Sequence, residues 1–137
     1  MIGLLLLTHE HVARGLLEAV EHTLGHTPPA LAVFEANYRH SPEAMGQSIA
    51  TAVARLDQGN GVLILTDLYG CTHANQALPL LRRGHVEMVS GVNLPMLLKV
   101  IGHRQEPLDE IMDHALSGGC GGIVFAGAPN ADREAQA

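Results

Sequence analysis

The chain has 137 residues, 47% hydrophobic and 3% aromatic, with a formal net charge of −6 at pH 7, which suits one domain with an aliphatic core. No run of Lys or Arg could neutralise a row of phosphates, so nucleic acid is not an expected partner. The two cysteines, Cys71 and Cys120, are too few for a disulfide framework and favour a cytoplasmic location.

Apolar runs and amphipathic segments alternate along the first half of the chain. The run at residues 2–7 predicts a strand covered on both faces. Apolar residues at helical spacing from Val12 to Leu24 predict a helix that ends at a glycine. Residues 31–34 predict a second strand. After it, Ser41-Pro42-Glu43 has the order of N-cap, first-turn proline and acidic first turn that opens a helix.

The second half continues the alternation. Further strands are predicted at residues 62–66 and 86–92, and helices at residues 73–83, at 96–101 and from Pro107 onward. The glycine-rich residues 117–122 are interpreted as a flexible connector to a short last strand at residues 123–125. Residues 1–126 then form one domain, and residues 127–137 form a polar, disordered tail. No apolar stretch is long enough to cross a membrane.

This order of elements predicts an α/β fold, a three-layer sandwich with a mostly parallel central sheet. With strand order 2-1-3-4, strands 1 and 3 flank the point where the winding direction reverses, and ligand crevices lie there at the carboxyl ends of the strands. Thr8 and His9 follow strand 1, and Asp67 follows strand 3. Asn93, after the fourth strand, is expected to form a third wall of the crevice.

A histidine beside a carboxylate predicts nucleophilic chemistry in this crevice. A hydrogen bond from His9 to Asp67 would fix the tautomer and leave the other ring nitrogen free to attack an electrophile. Gly70, Cys71 and Thr72 lead into a helix N-terminus, where unpaired backbone N–H groups and the Thr72 hydroxyl can bind an anion. Together these groups favour phosphoryl transfer, with no metal and no diffusible cofactor expected.

Other interpretations of the same residues remain open. A histidine after a strand is often structural, and Asp67 could simply cap the following helix. His9-x-His11 together with Cys71-x-His73 could surround zinc, as in a zinc hydrolase, although these spacings are not those of a structural finger. Cys71 at a helix N-terminus could also react as a thiolate.

Three segments of the chain resemble motifs of a known family. They are Thr8-His9-x-x-x-Ala13-x-Gly15-Leu16-Leu17, then Leu65-Thr66-Asp67-Leu68-x-Gly70-x-Thr72-x-x-Asn75-x-Ala77, then Gly91-Val92-Asn93-Leu94-Pro95-Met96-Leu97. In this order they resemble the mannose-type (mannose/fructose/sorbose) enzyme IIA domain of the phosphoenolpyruvate-dependent sugar phosphotransferase system, over residues 1–126. The chain departs from the usual motifs at Glu10, where the family has Gly, and at Cys71 and His73, where it has Gly and Pro.

The resemblance implies a phosphotransferase that works through a phosphohistidine. His9 would accept a phosphoryl group from phospho-HPr and pass it to a IIB protein or domain, with Asp67 in contact with His9. The resemblance also implies a homodimer that exchanges a C-terminal strand, matched here by residues 123–125, and contact with the membrane only indirectly through a permease. The alternative is a stand-alone regulatory protein whose His9 phosphorylation is sensed by a partner without sugar transport, an expectation that the short chain motivates.

Overall fold

A four-stranded parallel sheet lies at the centre of the protein, whose computed structural model describes residues 1–127. The strands are β1 (Gly3–His9), β2 (Leu31–Ala36), β3 (Val62–Thr66) and β4 (Val86–Ser90). They pair in the order β2-β1-β3-β4, and every pair is parallel. The structure therefore confirms the predicted α/β class and the predicted strand order.

Helices cover both faces of the sheet. On one face lie α1 (Val12–Leu24), α4 (Leu94–Ile101) and α5 (Leu108–Gly121), and on the other lie α2 (Pro42–Leu56) and α3 (Thr72–Ala77). This arrangement is the predicted three-layer sandwich. Within residues 1–127, no helix has the length and apolar character needed to span a bilayer.

Side chains of β1 alternate between the two halves of the core. Leu4 and Leu6 are completely buried in the half that contains α1, α4 and α5, whereas Leu5 and Leu7 are completely buried in the half that contains α2. Each fully buried Leu side chain contributes roughly 1.5–3 kcal/mol to stability. Because β1 is covered on both faces, its carboxyl end is a rigid support for the residue that ends the strand.

Helix α5 includes most of the segment predicted to be a flexible connector. Residues 117–121 continue the helix. A Cβ atom at Gly118 would lie 2.9 Å from Lys99 Cβ, and one at Gly119 would lie 2.7 Å from Met96 Cε. The connector prediction was therefore wrong, because these glycines let α5 pack closely against α4 instead of making the chain flexible.

Helix α3 is shorter than the predicted helix at residues 73–83. It ends at Ala77, and Leu78–Leu80 form a single 3-10 turn. Pro79 lies in this turn and has no N–H group for an α-helical hydrogen bond, which explains the early end of the helix.

The predicted last strand does not form within this single chain. Residues 123–125 follow α5 without regular secondary structure, and the side chains of Ile123 and Phe125 are 78% and 75% exposed. Exchange of this segment between two subunits remains a prediction. The predicted polar tail lies, after Gly127, outside the described residues.

Candidate active site

His9 and Asp67 meet at the carboxyl ends of two adjacent strands. His9 is the last residue of β1, and Asp67 directly follows β3. Asp67 Oδ2 lies 2.7 Å from His9 Nδ1 and also accepts a hydrogen bond of 2.9 Å from the backbone N–H of His9. One carboxylate oxygen therefore positions both the main chain and the imidazole of His9.

The contact with Asp67 determines which ring nitrogen of His9 is available for chemistry. An ionised carboxylate only accepts hydrogen bonds, so His9 Nδ1 carries the proton in this pair. In the neutral imidazole, Nε2 then has a free lone pair. The His9 side chain is 43% exposed, so its ring is open to a partner from solvent.

The Asp67 carboxyl group stays ionised at neutral pH. Burial alone would raise its pKa, but hydrogen bonds from the His9 backbone, the His9 ring and the His73 ring outweigh burial and lower the pKa to about 2. Because this pKa lies below the ordinary value of 3.8, ionised Asp67 stabilises the folded state at higher pH. That contribution is present above about pH 4 and is lost as the pH falls toward the folded-state pKa.

A second histidine, His73 in the first turn of α3, contacts the other oxygen of Asp67. His73 Nε2 lies 2.9 Å from Asp67 Oδ1, and the His73 side chain is completely buried. Since Nε2 donates to the carboxylate, Nδ1 accepts from the Tyr38 hydroxyl at 2.8 Å. The hydrogen bonds therefore run in one direction, from Tyr38 through His73 to Asp67.

Tyr38 is a further residue of the candidate site and was not predicted from the sequence. It follows β2, and its ring stacks with the His9 ring at a centroid distance of 5.8 Å and an interplanar angle of 24°. The His73 ring meets the His9 ring edge to face, with centroids 4.7 Å apart. The predicted strand order contained a signal for Tyr38, because residues after β2 reach the same edge of the sheet as those after β1.

An open cavity of about 520 Å³ lies beside His9, between the loops that follow β1 and β2. Its lining consists of His9, Glu10, Ala36, Asn37, Tyr38 and Arg39. The cavity is therefore bordered by both acidic and basic side chains.

Thr8 and Asn93, predicted as walls of the crevice, hold the neighbouring backbone in place. Thr8 is completely buried, and its hydroxyl donates to the His9 carbonyl and accepts from the Ala13 N–H, both at 2.8 Å. Asn93 Oδ1 caps α4 by accepting from the Met96 N–H at 2.9 Å. Thr8 thereby fixes the turn that follows His9, and Asn93 fixes the start of α4.

Gly70 and Cys71 end the loop before α3, and Thr72 is the first residue of that helix. Gly70 has a φ of +86°, in the left-handed region that favours glycine. Cys71 is the N-cap of α3 but makes no capping hydrogen bond through its side chain, and its Sγ lies 3.2 Å from His73 Nε2. Anion binding by Gly70, Cys71 and Thr72 remains a prediction.

The four residues that were considered as zinc ligands from the sequence do not all lie close together. His9, Asp67 and His73 offer ligand atoms within 4.8 Å of one another, but neither His11 nor Cys71 belongs to this group. The His11 side chain is exposed and lies 4.0 Å from a carboxylate oxygen of Glu10. The predicted set of His9, His11, Cys71 and His73 is therefore not assembled.

Comparison with known proteins identifies relatives along nearly the whole chain. The model of the family described as "PTS system fructose IIA component" matches residues 3–116. The PTS system mannose-specific EIIAB component of Escherichia coli (strain K12) is 27% identical over 139 residues, which cover 99% of this chain and 43% of that protein. The chain therefore spans less than half the length of this relative.

Solved structures show the same fold. The phosphotransferase system component EIIA from Streptococcus agalactiae matches with a TM-score of 0.80 and 25% identity, over 91% of this chain and 97% of that chain. The mannose/sorbose-specific IIA subunit from Enterococcus faecalis matches with a TM-score of 0.78 and 20% identity, over 93% of this chain and 96% of that chain. Together with the family match, these similarities confirm the resemblance inferred from the three motifs, and the chain belongs to the fructose- and mannose-type IIA components of the sugar phosphotransferase system.

Proposed function

We propose that the protein is a cytoplasmic phosphocarrier in which His9 accepts a phosphoryl group from phospho-HPr and passes it to a IIB protein or domain. The observation that carries this proposal is the 2.7 Å contact between Asp67 Oδ2 and His9 Nδ1, which leaves Nε2 of a solvent-accessible histidine as the nucleophile. Membership of the IIA family supports this class of donor and acceptor.

In the first step, the Nε2 lone pair of His9 attacks the phosphorus atom carried by phospho-HPr. The bond from phosphorus to HPr breaks as the bond to Nε2 forms, and the Nδ1 proton stays in its hydrogen bond to Asp67. The ring N–H is more acidic once the imidazole is phosphorylated, so the ionised carboxylate stabilises the phosphorylated form. The second step repeats this displacement with the nucleophile of IIB as the attacking group.

Gly70, Cys71 and Thr72, at the start of α3, are proposed to hold the phosphoryl oxygens during transfer. Cys71 is the N-cap of α3 and lies beside His73, and the centroid of the His73 ring is 4.7 Å from that of the His9 ring. Backbone N–H groups in the first turn of a helix lack intrahelical partners and can donate to an anion. The hydroxyl of Thr72 adds one more donor at this end of the helix.

Exposed apolar side chains near the site support protein partners. Leu68 and Tyr69 are exposed on the loop after Asp67, and Tyr38 is exposed after β2. Aromatic side chains are enriched at protein–protein interfaces, where they bury a large area with few rotatable bonds. We propose that Tyr38, Leu68 and Tyr69 contact both the phosphoryl donor and the acceptor.

Phosphorylation in solution tests the proposed function. The purified protein, incubated with enzyme I, HPr and phosphoenolpyruvate, should gain the mass of one phosphoryl group, and acid should remove it. NMR of the ring nitrogens should place the group on Nε2. The proposal would be overturned if this protein stayed unmodified while a known IIA domain in a parallel reaction was phosphorylated.

We further propose a homodimer in which residues 123–125 pair with the sheet of a second subunit. β4 is an edge strand: Arg82 pairs with the outer N–H and C=O groups of Val86, and farther along the strand the outer groups face no other strand of the sheet. Ile123 and Phe125 expose large apolar side chains after α5. Pairing between subunits would cover both the edge and these side chains.

Removal of the segment tests the dimer. A chain that ends at Gly122 should be a monomer or an aggregate in analytical ultracentrifugation, because the exchanged strand is missing. A chain that ends at Gly127 is the control and should keep the mass of the dimer. An unchanged dimer after truncation at Gly122 would show that the interface lies elsewhere.

A further inference from the structure

A second group of potential metal ligands lies outside the candidate active site. His103 Nδ1 contacts Glu106 Oε2, and His114 Nε2 lies 3.0 Å from Glu106 Oε1. The two imidazole rings stack with centroids 3.6 Å apart and an interplanar angle of 15°. Each of these three residues, named here the His103 cluster, offers a ligand atom within 4.8 Å of the other two.

The His103 cluster lies at the end of the sheet opposite to the candidate active site. The neighbouring Arg104 donates hydrogen bonds to the carbonyls of Ile2 at 2.6 Å and Ala30 at 2.9 Å, which precede β1 and β2. These contacts hold the guanidinium among buried backbone carbonyls at the amino-terminal end of the sheet. A ligand bound to the cluster would therefore not contact the residues of the phosphocarrier site.

We propose that the His103 cluster binds a divalent transition metal ion such as Zn²⁺. Two imidazoles and one carboxylate are a protein ligand set that zinc uses when further positions are filled from solvent. The side chains of His103, Glu106 and His114 are 37%, 35% and 25% exposed, so water can complete the coordination. In contrast, His73 of the candidate active site is completely buried, which leaves less room for water ligands around a metal ion.

The His103 and His114 rings must move apart from their stacked position before both can direct a nitrogen at one ion, and the exposure of both side chains allows that movement. Each carboxylate oxygen of Glu106 faces one of the two histidine rings. In the metal-free chain, His103 Nδ1 and His114 Nε2 each carry a proton that points to Glu106. On metal binding each neutral ring moves that proton to its other nitrogen, so coordination needs no net loss of protons from these rings.

A bound ion would connect the segment between α4 and α5 to the interior of α5. His103 and Glu106 lie in that segment, and His114 lies within α5. Because the three ligands converge only in the folded chain, the ion would stabilise the folded state in a concentration-dependent way.

Titration of the full chain with zinc tests the proposal. Wild type should bind one Zn²⁺ in calorimetry, and its unfolding temperature should rise with zinc. Loss of a residue that only supports a metal ligand costs about 10–100-fold in affinity, so His103→Ala and His114→Ala should each weaken binding by about 100-fold or more. Glu106→Gln should also weaken binding, with little change in side-chain shape.

Two variants are matched controls for this titration. His85→Ala removes a histidine that contacts a single carboxylate, that of Asp57, at 2.6 Å, and should bind zinc as wild type does. His9→Ala should also bind normally, because the candidate active site is not used. Equal binding by wild type, Glu106→Gln and His103→Ala would overturn the proposal, as would loss of binding only in His9→Ala or no binding at millimolar zinc.

Discussion

Replacement of His9 by alanine is expected to abolish phosphorylation of the protein. The His9→Ala side chain offers no nitrogen to attack phosphorus, and Asp67 then has no imidazole to orient. The phosphoryl group that phosphoenolpyruvate supplies serves as the label, and it should therefore be absent from this variant after incubation with enzyme I and HPr. His11→Ala is the matched control, because the His11 ring is exposed two residues away and makes no contact with Asp67, and it should keep the label.

A variant of His73 shows whether the phosphoryl acceptor is His9 or the other histidine that contacts Asp67. It is a second histidine on the same carboxylate, but its side chain is completely buried and both ring nitrogens have hydrogen-bond partners. His73→Gln should therefore still be phosphorylated. Persisting label in His9→Ala, together with loss of label in His73→Gln or His11→Ala, would place the acceptor elsewhere.

Asp67→Asn is expected to slow phosphorylation without abolishing it. The carboxylate faces three donors, which are the backbone N–H of His9, His9 Nδ1 and His73 Nε2. An amide has one acceptor oxygen and no charge. Loss of one charge-assisted hydrogen bond costs on the order of 1.5–3 kcal/mol, so transfer from phospho-HPr should slow by roughly 10- to 100-fold.

The structure also predicts a change of tautomer in this variant. If the amide oxygen of the substituted side chain takes the place of Oδ2, the amide NH₂ group faces His73 Nε2, which must then accept and leave the proton on Nδ1. The Tyr38 hydroxyl can accept from that nitrogen, so the site can stay folded. NMR of the His73 ring should detect the switch, and single-turnover transfer should be measured on the same sample.

A matched acid–histidine pair provides the control for Asp67→Asn. Asp57 contacts His85 at 2.6 Å and lies after α2, so Asp57→Asn removes a similar pair away from His9. Asp57→Asn should transfer at the wild-type rate. Equal rates for wild type and a folded Asp67→Asn variant would mean that Asp67 only supports the loop before α3.

The bounds of some helices and strands could be predicted to the residue, because residues close together in the sequence determine them. Strand β3 matches the predicted residues 62–66, and α1 ends where predicted, at a Gly25 whose φ is +81°. Ser41 caps α2 as predicted, with its hydroxyl accepting from the Ala44 N–H at 3.1 Å. These features depend on hydrophobic periodicity and on short-range capping, and both are determined by residues that are close together in the sequence.

Features that depend on contacts between distant segments could not be predicted in this way. Gly118 and Gly119 have the composition of a loop, and only the close approach of α4 explains their place in a helix. The contact of Tyr38 with His73 depends on how the loop after β2 folds across the sheet edge. In contrast, the pairing of His9 with Asp67 could be predicted from the sequence, because strand order alone brings the ends of β1 and β3 together.

The way His9 is anchored separates the proposed nucleophile from the exposed residues that follow it in the chain. Both contacts that hold His9 to Asp67 come from the β3 side, whereas Glu10 and His11 are exposed, and His11 turns the chain into α1 with a φ of +72°. Substitutions at Glu10 can therefore alter the charge that an approaching protein meets while the nucleophile stays in place. Duplicated copies of such a chain can therefore diverge in which partner proteins they recognise, while the chemistry at the histidine stays the same.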